Sequence, residues 1–476
     1  MRDAGIRPLP AGSIDPQDGV PSKPGSNRTG DFTVDTARPS PPTLGAALPY
    51  WFKLGFISFG GPAGQIAIMH QELVEKRRWI SERRFLHALN YCMLLPGPEA
   101  TQLAIYIAWL MHGVRGAVVA GVLFFLPAFL LLSLLAGIYL AWGDVPLVQG
   151  VFHGIKPAVV AIVLYAAWRI GSRALNNAVL WGLAGLAFVA MFFFDVGFPW
   201  IVLAAALAGV AGGRLAPRLF RGSGGHGASS ARYGPALIDD DTPTPAHAAF
   251  SWNRLALTTA ACLGIGAAAL FAVSGEDTLR AMGVFFTQAA FLTIGGAYAV
   301  LPYVYQGAVE HYGWLTGPQM MDGLALGETT PGPLIMVVTW VGYLGGVTKA
   351  VFDAPVAAGL AGAAVATFFT FLPSFWFILA GGPFVEATRD ELKFTAPLTA
   401  ITAAVVGVIL NLAAFFAWHT FWPQGTPAAP FAGPFDGFAV VVAIASFVAL
   451  WKARIDVIKV IGACALLGLA YALLFA

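Results

Sequence analysis

The stretch FISFGGPAGQIAIMHQELVEKRRWI (56–80) occurs a second time, in changed form, as FLTIGGAYAVLPYVYQGAVEHYGWL (291–315). The two copies lie at a constant offset of 235 residues and align without a gap. An alignment of this length indicates an internal duplication. The shared residues include Phe56, Gly60, Gly61, Glu75 and Trp79 in the first copy and Phe291, Gly295, Gly296, Glu310 and Trp314 in the second.

The duplication extends beyond this stretch. A Pro-Gly-Pro sequence at 96–98 recurs at 331–333, at the same offset. Further on, FLPAF (125–129) aligns with FLPSF (371–375) at an offset of 246. Two registers held over such lengths predict that the chain consists of two related halves.

The composition indicates a membrane protein. Of the 476 residues, 58% are apolar and 11% are charged, and the mean hydropathy is +0.72. Soluble domains carry about 25% charged residues. Many charge-free runs reach the roughly 20 residues that a spanning helix needs, and they are continuously apolar rather than alternating. We therefore predict an all-α polytopic membrane protein whose partner is the lipid bilayer.

Other classes are disfavoured by charge and cysteine content. The net charge of +2 does not favour a nucleic-acid partner. Cys92, Cys262 and Cys464 are too far apart for a disulfide framework or a CxxC metal site. No Walker A sequence is present, so ATP drive from this chain is not expected.

Five segments follow from these patterns. Polar composition marks a tail, which we expect to be disordered and cytoplasmic, and a linker between the halves. An extra apolar helix after the linker supplies an odd crossing. The predicted segments are the tail (1–48), the first repeat (49–213), the polar linker (214–254), the linker transmembrane helix (255–275) and the second repeat (281–476).

Basic residues predict the orientation of the halves, because Lys and Arg concentrate in cytoplasmic loops. The loop 70–84 carries five of them, whereas its counterpart 305–319 has none. The halves are therefore predicted to be inverted repeats in the inner cell membrane, with a cytoplasmic N-terminus and an external C-terminus. We favour re-entry of 49–69 and 85–112, giving nine spans and four re-entrant segments; the alternative is about thirteen spans.

Gly-Gly-Pro (60–62) and Pro-Gly-Pro (96–98) interrupt apolar segments. Proline suits the first turn of a helix, and helix N-termini bind anions. Matched interruptions in two halves point to the binding site of a transporter, although kinks or tight helix crossings are the alternative. The predicted substrate-binding residues are Ser58, Gly60, Gly61, Pro62, Gln65, Pro96, Gly97, Pro98, Thr101, Gly295, Gly296, Thr329, Thr330, Pro331, Gly332 and Pro333.

Four charged residues lie close enough to the interruptions to matter. Glu99 and Glu328 are candidates for coupling transport to protons, with structural salt bridges or an interfacial position as the alternative. Lys53 and Lys156 are candidates for neutralising the anion, or they extend to the membrane interface. No catalytic or metal-binding residue is predicted.

The stretches GGPAGQIAIMHQELVEKRRWIS (60–81), LLPGPEATQLAIYIAWL (94–110), FFLPAFLLL (124–132) and GETTPGPLIMVVTWVGYLGG (327–346) resemble the chromate ion transporter family. The resemblance covers both halves and includes the long, duplicated form of the family. It implies chromate efflux that confers resistance, with sulfate as a competing or alternative substrate. It implies neither enzymatic activity nor a cofactor, and it leaves a homodimer open.

Two other functions remain in competition. One is an importer of sulfate or a related anion, coupled to protons through Glu99 or Glu328. The other is an integral-membrane transferase, which would need clustered aspartates or a His-Asp pair at the interface. The sequence has no such cluster near a predicted membrane boundary.

Overall fold

The computed structural model describes residues 38–59, 61–143, 145–220, 233–294, 296–387, 395–425 and 429–475. Throughout these residues the chain is α-helical, with β structure limited to isolated bridges such as Ile80 with Ile238. The all-α prediction is therefore confirmed. Most of the predicted tail lies outside the described residues, and the first helix begins at Leu44, where the Thr43 side chain accepts a hydrogen bond from Ala46 N–H.

The described residues of the first half form seven α-helices. A π-helix, Gln71–Lys76, continues α2, and α4 is interrupted by non-helical backbone at His112 and Gly113. The helices are α1 (Leu44–Ile57), α2 (Gly61–His70), α3 (Glu82–Leu94), α4 (Glu99–Trp142), α5 (Pro146–Ala174), α6 (Ala178–Phe194) and α7 (Phe198–Leu215).

The linker helix and the second half supply the other ten. A π-helix (Gln306–His311) follows α10, a 3-10 turn (Leu334–Met336) precedes α12, and a second π-helix (Phe377–Gly381) joins α13 to α14. The helices are α8 (Trp252–Ala272), α9 (Asp277–Leu292), α10 (Ala297–Tyr305), α11 (Gly317–Thr329), α12 (Val337–Thr348), α13 (Pro355–Trp376), α14 (Gly382–Ala387), α15 (Thr395–Phe421), α16 (Gly437–Trp451) and α17 (Val457–Phe475).

The sequence register reappears in the backbone. The π-helices after α2 and α10 begin at Gln71 and Gln306, 235 residues apart. At the same offset, Arg78 and Gly313 both adopt a positive φ, 52° and 58°. Irregular backbone features thus recur at the spacing of the sequence duplication.

In each half the first helix pair folds back at the Gly-Gly interruption. The rings of Tyr50 and Trp79 lie 5.5 Å apart, and their counterparts Phe285 and Trp314 are also 5.5 Å apart. A continuous helix from 50 to 79 would separate these positions by about 40 Å, at about 1.5 Å per residue. α1 and α2 are therefore antiparallel neighbours, as are α9 and α10.

The second pair in each half folds back at the Pro-Gly-Pro interruption. Tyr91 of α3 and Tyr106 of α4 lie 5.9 Å apart across it, and Trp340 Nε1 of α12 donates a hydrogen bond to Gln319 O of α11 at 3.0 Å. Next, α4 reverses at His112 and Gly113. A Cβ on Gly116 would overlap the carbonyl oxygen of Ala108, so α4 is a tight helical hairpin.

The second half of α4 runs antiparallel to α13. The rings of Phe125 and Phe371, which are equivalent positions at the 246-residue offset, stack 4.5 Å apart. Gly121 faces Phe375 near one end of this pair, and Gly137 and Gly359 both contact Tyr343 near the other. The two long helices thus pair along most of α13, from Gly359 to Phe375.

The described residues include seven helices that are long and apolar enough to cross a membrane. Three shorter apolar helices accompany them, namely Ala178–Phe194, Leu334–Thr348 and Gly437–Trp451. The prediction of a polytopic membrane protein is thereby confirmed. The predicted linker helix corresponds to α8, which begins three residues earlier than expected, at Trp252.

Candidate functional site

The interruptions of the two halves meet each other. Gly97 N–H donates to the carbonyl oxygen of Thr293 at 2.7 Å, and Gly332 N–H donates to that of Ser58 at 2.8 Å. Ser58 and Thr293 are equivalent positions, as are Gly97 and Gly332, so the two hydrogen bonds are related by the duplication. The Pro-Gly-Pro break of each half is thus joined to the Gly-Gly break of the other.

Four glycines at these breaks adopt positive φ, a region that L-residues other than glycine rarely occupy. Gly97 (φ 123°) and Gly332 (φ 116°) are closely packed, since a Cβ would lie 2.7 Å from Ser374 Oγ or 2.8 Å from Ala128 Cβ. Gly61 (φ 70°) and Gly296 (φ 100°) instead border open space. The predicted site residues Gly60 and Gly295 lie outside the described residues.

Gln65 connects the two halves at this point. Its Nε2 donates to Gly332 O at 2.7 Å and to Ser58 O at 3.3 Å, and the residue is 1% exposed. Both amide hydrogens are therefore directed at backbone carbonyls. The role that this geometry supports for Gln65 is to hold the breaks together.

The predicted hydroxyl donors differ in their availability. Ser58 donates to Leu54 O at 2.6 Å, Thr329 to Leu326 O and Thr330 to Gly327 O, so each bonds to its own helix. Thr101 is fully buried, and its Oγ1 has no hydrogen-bond partner among the described residues. Of the hydroxyls named from the sequence, Thr101 is therefore the candidate donor to an anion.

Three buried polar residues at the breaks were missed from the sequence. Gln102 Nε2 donates to Pro96 O at 2.7 Å and lies 3.4 Å from Ser374 Oγ. Thr293 is the counterpart of Ser58, and extending the 235-residue register by two positions would have identified it. No sequence signal indicated Ser374, because its counterpart in the first half is Ala128.

The prolines occupy positions that suit helix starts. Pro62 is the second residue of α2, Pro98 precedes the first residue of α4, and Pro333 precedes the 3-10 turn that leads into α12. Pro96 and Pro331 lie in the extended breaks themselves. Among the residues that the structure describes, no side chain caps the first turns of α4 or α10, so backbone N–H groups remain uncapped at these two breaks.

The two predicted coupling carboxylates are both half-buried. Glu99 is the first residue of α4, where the helix dipole favours a negative charge. Glu328 is the penultimate residue of α11 and accepts a hydrogen bond from Tyr298 Oη, next to the second Gly-Gly break. Each half thus places one acidic side chain beside its Pro-Gly-Pro sequence, at positions that are not equivalent.

The two lysines lie apart from the junction. Lys53 is on the exposed surface of α1. Lys156 Nζ lies 3.8 Å from Oδ2 of Asp322, a buried carboxylate that sequence reasoning missed. Asp322 precedes Thr330 by eight residues, or about 12 Å along a helix.

Comparison of the sequence with known protein families identifies the family of both halves. The sequence profile of the chromate transporter family matches residues 46–210 and, separately, 280–469. The chain belongs to the chromate transporter family. The two matches correspond to the two related halves, so the resemblance noted from the motifs is confirmed.

Relatives within the chromate transporter family cover most of the chain. A chromate transport protein of Pseudomonas aeruginosa is 32% identical over 449 residues, which span 92% of this chain and 94% of the relative. A chromate transport protein of Cupriavidus metallidurans is 30% identical over 368 residues, 77% of this chain and 81% of the relative. A probable chromate transport protein of Synechococcus elongatus is 29% identical over 367 residues, 76% and 81% respectively. No solved structure matches the chain.

Proposed function

We propose that the chain is a secondary transporter of tetrahedral oxyanions that expels chromate from the cell, and that the anion binds where the four Gly/Pro breaks meet. The observation that carries the proposal is the reciprocal pair of hydrogen bonds, Gly97 to Thr293 and Gly332 to Ser58. Irregular backbone at membrane depth is tolerated where it lines a cavity or is buried in protein. Here it is concentrated at one junction, beside open space at Gly61 and Gly296.

The donors at the junction suit a tetrahedral dianion. Uncapped first turns of α4 and α10 present N–H groups together with the positive ends of their helix dipoles. Thr101 adds a hydroxyl that has no partner among the described residues. Such donors recognise charge and shape rather than the central atom, so sulfate is expected to compete with chromate.

In the proposed topology, the halves are inverted repeats whose hairpins enter from opposite sides and meet in the middle. The antiparallel arrangement of α4 and α13 supports this topology. The linker also lies beside the basic loop, since Leu237 and Ile238 donate backbone hydrogen bonds to Arg78 O and Trp79 O. We place this end in the cytoplasm with the N-terminus, and the C-terminus outside the inner membrane.

Energetics supports export over import. Moving a dianion out of an inside-negative cell releases about 2.3 kcal/mol per charge per 100 mV, or about 4.6 kcal/mol in total. Export therefore needs no coupling ion. Import of the same anion against this potential would need one.

Transport into everted membrane vesicles tests the proposal. Labelled chromate should accumulate when respiration makes the vesicle interior positive, should continue when only the pH gradient is collapsed, and should be inhibited by unlabelled sulfate. Vesicles without the protein provide the baseline. Chromate uptake no greater than this baseline would overturn the proposal.

Proton-coupled import of sulfate is the second candidate, and the position of Glu99 and Glu328 beside the breaks favours it. Under this alternative, collapse of the pH gradient stops transport, and Glu99→Gln or Glu328→Gln abolishes the pH dependence while leaving binding intact. Under potential-driven export, both variants retain the parental response to pH. Flux measured against pH in the two variants distinguishes the candidates.

A further inference from the structure

A cavity of about 690 Å³ lies between the end of α4, the start of α5, α11 and α17, and none of the described residues of the four breaks lines it. At about 30 Å³ per water molecule, it has room for roughly twenty waters, enough for an oxyanion with part of its hydration shell. Its lining extends from Gly143 and Pro146, in the turn between α4 and α5, to Lys156 and Asp322. Lys156 lies more than two turns after the start of α5, and Asp322 approaches it from α11.

The carboxylate of Asp322 is incompletely satisfied. The residue is 2% exposed, and its Oδ2 accepts a hydrogen bond from Tyr139 Oη at 3.0 Å. Its Oδ1 is buried without a hydrogen-bond partner among the described residues. A buried charge in this condition destabilises the site unless a cation compensates it.

Lys156 supplies that compensation only loosely. Its Nζ lies 3.8 Å from Asp322 Oδ2, beyond the 2.7–3.2 Å of a typical N–H···O hydrogen bond. The Lys156 side chain is 30% exposed and lines the cavity. An ammonium has three donors, so it can bind a second anion while it remains close to the first.

The remaining polar groups of the cavity are a histidine that already has a carboxylate neighbour, two amides and two phenols. His153 lies one turn before Lys156 on α5, and its Nε2 is 3.4 Å from Oδ2 of Asp436, the residue that caps α16. Gln149 and Gln319 provide neutral amides, and Tyr471 of α17 completes this wall. Lys156 is thus the principal candidate for attracting an anion here.

We infer that Lys156 forms an oxyanion docking site, distinct from the junction of the four breaks, and that Asp322 is a built-in competitor for its ammonium group. An oxyanion entering the cavity displaces the carboxylate from Lys156, and Asp322 recovers the lysine when the anion leaves. The docking site lies about 12 Å from Thr330 along α11. This inference rests on the proposed function for its choice of ligand class.

Protection of a single cysteine from a thiol reagent tests the docking site directly. Gln149→Cys, in a background in which the native cysteines are replaced, is exposed to an uncharged thiosulfonate in purified full-length protein, so that bound sulfate neither attracts nor repels the reagent. Sulfate is the probe because chromate oxidises thiols, and chloride at matched ionic strength is the control. We expect sulfate to slow the labelling of this cysteine at least about fivefold by covering Lys156. Pro318→Cys, at the same end but outside the cavity lining, should show no protection.

Substitutions that change the charge of Lys156 or Asp322 test whether these two residues cause the protection by sulfate. Lys156→Gln should raise the half-protecting sulfate concentration at least about tenfold, whereas Asp322→Asn should lower it about tenfold, because the competitor is gone. Lys156→Arg should stay within about threefold of the parent because it keeps the charge. Lys349→Gln, at an exposed position outside the cavity lining, is the matched control.

Misfolding of Lys156→Gln is a risk because it isolates a buried carboxylate. The double variant Lys156→Gln with Asp322→Asn removes both charges, should fold, and should lack protection. Normal sulfate protection in this folded double variant, or none in the parent, would overturn the docking site. Vesicle transport separates the two proposals: transport without protection rejects the docking site alone, and protection without transport rejects the proposed function alone.

Discussion

At the scale of single residues, the junction depends on glycines that share a backbone conformation but not an environment. Gly97 and Gly61 both have positive φ, yet a Cβ at Gly97 would lie 2.5 Å from Gln102 Nε2, whereas one at Gly61 would contact nothing within 4 Å. Backbone strain and steric crowding can therefore be separated by the same substitution at two positions.

Gly61→Ala and Gly97→Ala should differ in severity. Positive φ costs a residue with a Cβ about 1–2 kcal/mol at either position. Gly97→Ala adds overpacking against Gln102 and Ser374, worth about 1–3 kcal/mol more. Thermal unfolding in detergent and chromate flux should both show the larger loss for Gly97→Ala; equal losses would show that the packing around Gly97 is unimportant.

Thr101→Val tests the candidate hydroxyl donor. Since a buried hydroxyl without a partner costs about 1–3 kcal/mol, its removal should leave stability unchanged or slightly raised. Chromate flux should nevertheless fall about tenfold if this hydroxyl donates to the anion.

The matched control is Thr370→Val. That hydroxyl is also buried, but it donates to Ala366 O at 2.7 Å within α13. The control should lose about 1 kcal/mol of stability and keep parental flux. Parental flux in Thr101→Val would remove Thr101 from the proposed site.

At the scale of helices, each half depends on hairpins whose helices approach closely at glycine. Gly116 lies against the carbonyl of Ala108, and its counterpart Gly362 lies against the carbonyl of Gly342. Backbone atoms cannot move aside as side-chain ends can. These contacts therefore fix how closely the hairpins close.

Gly116→Leu and Gly362→Leu should each open one hairpin and lower stability by about 3 kcal/mol or more. Gly182→Leu is the control, because Gly182 lies in the interior of α6 and has no atom within 4 Å of a Cβ. Unfolding of the purified variants by heat measures the difference. Losses in the hairpin variants no larger than in the control would contradict the fold-back of α4 or of α12 and α13.

Helix α14 is tied to the first half by a buried ion pair. Arg84 of α3 lies 3.1 Å from Glu386 of α14, and Tyr106 of α4 donates to the same carboxylate at 2.5 Å. The two charged side chains are 7% and 2% exposed. Two consecutive helices of the first half, α3 and α4, thus meet the distant α14 at one carboxylate.

Removing one partner of this pair should be worse than removing both. Arg84→Met removes the guanidinium that lies 3.1 Å from this buried carboxylate and should cost about 3–5 kcal/mol. Combining Arg84→Met with Glu386→Leu should recover most of that loss. If the double variant is no more stable than Arg84→Met, the penalty arises from lost packing of the arginine and not from charge.

At the scale of the whole molecule, the two halves are joined by equivalent contacts. The hydrogen bonds from Gly97 and Gly332 link the breaks, and Phe125 stacks on its counterpart Phe371. Equivalent residues in contact are typical of a molecule with internal pseudo-twofold symmetry. In a membrane, such an axis parallel to the plane would place equivalent loops on opposite sides.

Arg83→Cys and Pro318→Cys, 235 residues apart and both exposed, test this topology. In a background without the native cysteines, only Pro318→Cys should react with an impermeant thiol reagent in intact cells, and only Arg83→Cys in everted vesicles. Permeabilised cells, in which both should react, control for local accessibility. Reaction of both from the same side would reject the inverted arrangement.

The sequence by itself determined the membrane class, the duplication and the positions where helices are interrupted. Each of these properties depends only on composition or on the order of residues along the chain. Apolar content indicates a membrane environment, and a constant offset between similar stretches indicates a repeat. Gly and Pro interrupt helices because they change the allowed φ and the backbone hydrogen bonding locally. Extending the register would also have identified Thr293 as the counterpart of Ser58.

Only the tertiary structure decided which breaks meet and which polar groups remain available. Gly97 N–H donates a hydrogen bond to Thr293 O of the other half, and Gln65 Nε2 donates to two backbone carbonyls. The sequence around Gly97 or Gln65 does not identify these partners. Lys156 and Asp322 lie on different helices and 166 positions apart, so no local pattern pairs them. Hydrogen bonds and ion pairs act over a few ångströms in space, and packing alone determines which distant residues come that close.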